Sequence, residues 1–174
     1  LGALNLVNVA EVFNPGIFSN AAANMNLIAG LVFDINAPQQ GRQFDADIPS
    51  HREWCKKVVQ EQKPMFLIGS PLCIAFSALL NLNRRNLDPV KYDELVRRCI
   101  LHLYFCLEFY EIQLKNGRYF LHEAPWTAWS WKLPRVKAFR EKPGVQVREG
   151  HHCPFNQLTW DQGEQCMVLK RTGR

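Results

Sequence analysis

Residues 7–35 read VNVAEVFNPGIFSNAAANMNLIAGLVFDI, and this stretch decides the fold class. The β-branched run at 7–13 ends in an Asn-Pro-Gly turn, a pattern typical of a buried strand followed by a tight turn. An Ala- and Asn-rich segment follows, and it predicts a short helix with Ser19 as its N-cap. Residues 31–35 predict a second strand, with Asp34 near its end. A strand, a helix and a strand in about 30 residues indicate a βαβ unit.

The rest of the chain repeats this alternation. A Ser-x-x-Glu capping box at 50–53 predicts a helix that ends near Gln62. Strands are predicted at 65–69 and 119–122, and a long amphipathic helix lies between them. Asp88-Pro89 supplies the start signal of that helix. The sequence therefore predicts an α/β fold with a doubly wound, mostly parallel sheet.

Composition limits the number of domains and the class of protein. The chain has 174 residues, 47% of them hydrophobic, and a formal net charge of +5. This indicates one packed domain rather than a disordered chain, and no apolar run approaches the ~18–20 residues of a membrane helix. We expect a core over 1–147 and a basic C-terminal extension or truncated region over 148–174, in a fragment of a longer polypeptide. Six irregularly spaced cysteines favour reduced thiols and an intracellular location.

Polar residues follow each predicted strand. They are Asn14 and Gly16 after the first, Asp34 at the second, Cys73 after the third and Glu123 after the fourth. Ligands of doubly wound sheets bind outside the carboxyl ends of the strands. These positions are therefore the candidate site.

The ordered motifs resemble those of cytosine-5 DNA methyltransferases. Phe-Asn-Pro-Gly at 13–16, Asp34, Gly-Ser-Pro-Leu-Cys-Ile-Ala-Phe-Ser at 69–77 and His-Glu-Ala-Pro at 122–125 carry the resemblance. The pattern is most similar to divergent methyltransferase-like segments of fungal and dinoflagellate, retroelement-associated polyproteins. The resemblance implies an incomplete Rossmann-like methyltransferase core, S-adenosylmethionine as cofactor and a nucleic-acid substrate such as DNA.

The resemblance also implies roles for individual residues. Cys73 is implied as the nucleophile that adds to carbon 6 of cytosine, and Glu123 as the acid facing the ring nitrogen. Such chemistry requires a base that is unpaired or flipped out of the duplex. The residues implied in cofactor binding are Phe13, Gly16, Asp34, Asp47, Ser70 and Pro71.

The same residues also fit purely structural roles, and these interpretations remain open. Cys73 fits a small buried side chain, Glu123 fits a partner of loop amides, Asp34 fits a turn cap, and Asp47 fits a residue that orders the turn before Pro49. The first turn has one glycine where the family has several. An alternative function is therefore a catalytically silent Rossmann-like module that serves as a structural or interaction subunit with other protein partners.

Two further clusters of residues lie outside the methyltransferase-like motifs. Trp126, Trp129 and Trp131 lie among Lys and Arg residues, which fits either stacking with single-stranded nucleic acid or packing of the indoles onto the domain. The His-His-Cys run at 151–153, together with Cys166, fits no standard zinc spacing. The sequence therefore predicts no metal site.

Overall fold

The computed structural model describes residues 7–38, 43–150, 158–161 and 166–169. Four strands form one sheet: β1 (Val9–Val12), β2 (Ala29–Phe33), β3 (Phe66–Gly69) and β4 (Tyr119–His122). The helices are α1 (Ile17–Asn24), α2 (Pro49–Gln62), α3 (Ala78–Leu82), α4 (Pro89–Lys115) and α5 (Pro134–Arg140). Two further strands, β5 (Leu158–Asp161) and β6 (Cys166–Leu169), pair as an antiparallel hairpin.

The four-stranded sheet is entirely parallel, with the order β2-β1-β3-β4. The predicted α/β class is confirmed, and the sheet is consistent with a partial Rossmann-like core. Because β2 and β3 flank β1 on opposite sides, the strand order reverses between β1 and β3. Such a reversal is the point where open α/β sheets bind ligands.

The register brings the carboxyl ends of the strands to one level. Val12 pairs with Phe33 of β2 and with Gly69 of β3, and Gly69 pairs with His122 of β4. The turns that follow all four strands therefore leave the same edge of the sheet.

Helix α4 holds β3 and β4 through its buried face. The Tyr110 hydroxyl donates to the Gly69 carbonyl at 3.2 Å and lies 3.1 Å from Nδ1 of His122. A Cβ on Gly69 would lie 2.1 Å from that hydroxyl, so the close approach requires glycine. Helix α2 packs beside α4, and Lys56 pairs there with Glu108 at 2.9 Å.

Two predicted helix starts are wrong. Gly16, in the left-handed conformation with a φ of 90°, is the N-cap of α1, and Ser19 lies within the first turn. Helix α2 begins at Pro49 after Ile48, so the predicted capping box does not form. The Asp88 cap is confirmed, because its carboxylate accepts the N–H groups of residues 90 and 91 at 2.8 and 3.2 Å.

Within the described ranges, no helix combines the length and the hydropathy needed to cross a membrane.

Candidate functional site

A cavity of about 250 Å³ opens at the switch point, beside the carboxyl ends of β1, β2 and β3. Three residues predicted to bind a cofactor line it: Phe13 after β1, Asp34 after β2 and Ser70 after β3. Its volume lies just below the ~300–1,000 Å³ of typical ligand pockets. The topology therefore joins residues that lie almost 60 positions apart in sequence.

The loop before α2 and helix α4 complete the wall. Phe44 and Asp45 come from the loop, and Arg98 and His102 come from α4. Among the described residues, the wall thus combines aromatic rings with carboxylates, the Arg98 guanidinium and the His102 imidazole.

Phe13 occupies a strained backbone position. Its φ of 60° lies in the left-handed region, which a bulky side chain adopts only at a cost. The Phe13 ring stacks on the His102 imidazole, with centroids 4.7 Å apart and an interplanar angle of 20°. Gly16 belongs to the same turn but caps α1, and it is not among the described residues that line the cavity.

Asp34, at the end of β2, both orders a turn and lines the cavity. Its Oδ1 accepts the N–H of Asn36 at 2.8 Å, which orders the turn, and its side chain also lines the cavity. The hydrogen bond therefore holds the carboxylate in place at the cavity wall.

Asp47 does not line the cavity. Its carboxylate contacts His102 Nε2 at 2.9 Å and Arg98 Nε at 2.5 Å, and its N–H donates to Asp45. Asp47 therefore holds in place two α4 side chains that do line the cavity.

His102 is a buried polar group that sequence reasoning missed. Burial lowers its pKa, so the neutral imidazole prevails near pH 7. With Nε2 donating to Asp47, Nδ1 is left as an acceptor, and no hydrogen-bond partner for it exists among the described residues. One sequence signal pointed to it, since a histidine interrupts the apolar stripe between Cys99 and Cys106.

Cys73 lies after β3, where the chain enters a short 3₁₀ turn at Ile74–Phe76. It is partly buried, whereas Cys55, Cys99 and Cys106 are fully buried, and no disulfide joins any of the four within the described ranges. Burial raises the pKa of the Cys99 thiol, and the nearby Cys73 raises it further. Cys73 therefore lies near Cys99 of α4 and is the most accessible of these four cysteines.

Glu123 lies at the end of β4, beside β3. Its N–H donates to the Gly69 carbonyl at 3.1 Å, and its side chain is partly buried. Neither Glu123, Cys73 nor Pro71 is among the described residues that line the cavity. The structure thus brings Cys73 and Glu123 to the same sheet edge as the cavity, outside its wall.

The N-terminus of α1 is already occupied by a carboxylate. Glu11 of β1 is fully buried, and its Oε1 accepts the Ser19 N–H at 2.5 Å. Dinucleotide-binding folds place a pyrophosphate at this helix end, because its free N–H groups and dipole attract anions. Glu11 therefore disfavours a pyrophosphate here.

The tryptophan cluster serves mainly for packing. The indole N–H groups of Trp129 and Trp131 donate to the carbonyls of Ala75 and Pro125, both at 2.9 Å. Trp126 is 40% exposed. In the described part of the chain no three His, Cys, Asp or Glu side chains group as metal ligands; residues 151–153 lie outside that part, and the side chain of Cys166 is not described.

No protein-family model, no curated protein and no solved structure matches this chain.

Proposed function

We propose that the cavity at the switch point binds S-adenosylmethionine and that the domain is a cytosine-5 methyltransferase-like module acting on nucleic acid. The observation that carries the proposal is the lining of that cavity by Phe13, Asp34 and Ser70. These residues follow three different strands, and the family resemblance assigns all three to the cofactor.

The charges around the cavity support a sulfonium nucleoside over a dinucleotide. Asp34 and Asp45 line the cavity, and the Arg98 guanidinium in the wall is paired with Asp47. Glu11 occupies the N-terminus of α1. Carboxylates accept hydrogen bonds from ribose hydroxyls and attract a cationic sulfonium, whereas they repel a pyrophosphate.

The chemistry proposed for the sheet edge uses Cys73 and Glu123. The Cys73 thiolate adds to carbon 6 of an unpaired cytosine, which makes carbon 5 nucleophilic toward the methyl group that the cofactor supplies. Glu123 hydrogen-bonds the ring nitrogen as charge builds there. Loss of the carbon 5 proton to a base then re-forms the ring double bond and releases the thiolate.

A catalytically silent interaction module is the second candidate. The two catalytic candidates do not line the cavity, and β4 exposes Tyr119 and Leu121, which are 63% and 41% accessible. Exposed apolar residues on an edge strand are typical of surfaces that contact another protein.

A methyl-transfer assay separates these candidates. Wild-type protein is incubated with S-adenosylmethionine labelled in its methyl group and with single-stranded or duplex cytosine oligonucleotides, and Cys73→Ser is the matched variant. We expect label in the nucleic acid with wild type only, while Cys73→Ser retains cofactor binding by calorimetry. Binding without transfer would favour the silent module, and absence of binding would overturn the cofactor proposal.

A further inference from the structure

Arg98 and His102 lie one turn apart on α4, and both side chains line the cavity. Asp47 anchors both, through Arg98 Nε and His102 Nε2. Helix α4 therefore presents a fixed polar pair to a cavity that is otherwise built from loops.

The hydrogen bond to Asp47 defines what His102 can offer a ligand. The imidazole is neutral and donates through Nε2, so Nδ1 keeps a lone pair and no proton. His102 is 5% exposed, and Nδ1 finds no donor within the described ranges. A buried acceptor without a donor is unfavourable, and a ligand that supplies an N–H removes that cost.

We propose that His102 is a specificity residue of this cavity and that its Nδ1 accepts a hydrogen bond from the exocyclic amine of an adenine base. The inference rests on the proposed function, because it assumes that an adenosine group enters the cavity. It adds a residue that the family resemblance does not assign to the cofactor.

The cavity offers a suitable place for a planar base. Phe13 and Phe44 supply aromatic surface to its wall, and Ile35 and Leu72 supply aliphatic surface. Asp34, at the end of β2, is left for the ribose hydroxyls. The base edge then faces α4, where His102 is the acceptor.

Access to Nδ1 requires a local movement, because the atom is buried. The neighbour involved is Phe13, because its ring stacks on the imidazole with centroids 4.7 Å apart.

The test compares adenosine with purine riboside, which differs only by lacking the exocyclic amine. Wild-type protein should bind adenosine about tenfold more tightly, the effect of one hydrogen bond to a buried acceptor. His102→Gln places an amide near the Nε2 position, retains a donor for Asp47 and removes the Nδ1 acceptor, so its preference should fall to about one. His102→Asn places an amide oxygen near Nδ1 and should keep the preference.

Affinities are measured by calorimetry, and thermal unfolding establishes that each variant is folded. A second measurement needs no variant: the nitrogen NMR shift of His102 Nδ1 in the wild type should change with adenosine and stay constant with purine riboside. Equal affinity of the two nucleosides for wild-type protein, or an unchanged Nδ1 shift, overturns this inference alone. Binding of S-adenosylmethionine without binding of adenosine also overturns this inference alone, whereas failure of the wild type to bind S-adenosylmethionine overturns the proposed function as well.

Discussion

Replacing Gly69 by alanine tests the contact that locks α4 onto the end of β3. The new Cβ would lie 2.1 Å from the Tyr110 hydroxyl, 3.0 Å from Tyr110 Cζ and 3.1 Å from Cys106 Sγ. All three atoms belong to a fully buried helix face, so the helix or the strand must shift. Overpacking of this kind costs about 2 kcal/mol in the free energy of unfolding. For a protein of this size that lowers the Tm by about 4–8 °C.

The double variant identifies the atom responsible. Tyr110→Phe removes the hydroxyl that contacts the Gly69 carbonyl and His122, at a cost of about 1 kcal/mol. Because it also removes the nearest clashing atom, the Gly69→Ala and Tyr110→Phe pair should cost about 1 kcal/mol less than the sum of the single changes. Urea unfolding measures all four proteins, and Tyr104→Phe, on the same helix, is the control. Strict additivity would refute the predicted contact.

Two further outcomes concern pH and helix capping. Burial lowers the pKa of His122 to about 4, so the folded protein disfavours its protonation. The contribution of His122 to the free energy of unfolding should therefore be complete above the unfolded pKa of ~6.5. It should fall by at most about 3 kcal/mol as the pH drops toward ~4, as measured by urea unfolding across that range. His122→Gln should flatten the profile, and an unchanged slope would count against the burial of this ring. Asp88→Ala should cost about 1 kcal/mol because it removes the cap of α4, whereas Asp93→Ala, within the helix, should cost less in the same assay.

Local sequence patterns predicted the strands well. The β4 prediction matches its bounds at Tyr119–His122, and the other three strands fall within about two residues of their predicted ends. Strong β-branched runs and turn residues are local signals, so they predict strands without any knowledge of tertiary contacts. The predicted starts of α1 and α2 are wrong because two start signals lie close together at each helix. Gly16 competes with Ser19 at α1, and Pro49 competes with Ser50 at α2.

Only those residues of the candidate site that directly follow a strand could be predicted from the sequence. Asp34 and Ser70 follow strands, and parallel strands end at one edge, so their convergence on the cavity follows from the fold class. Asp47 differs because its partners, Arg98 and His102, lie about 50 positions further along the chain. No spacing rule links a loop before α2 to one face of α4, so that ion-pair cluster emerges only from tertiary packing.

A calorimetric titration of S-adenosylmethionine into the wild-type protein tests the account most directly, with Asp34→Asn as the variant and NAD as the competing ligand. The account predicts saturable binding of S-adenosylmethionine, at least tenfold weaker binding to Asp34→Asn, as expected for loss of a charged hydrogen bond worth about 1.5–3 kcal/mol, and no heat with NAD. Absence of S-adenosylmethionine binding, or equal binding of NAD, would contradict it.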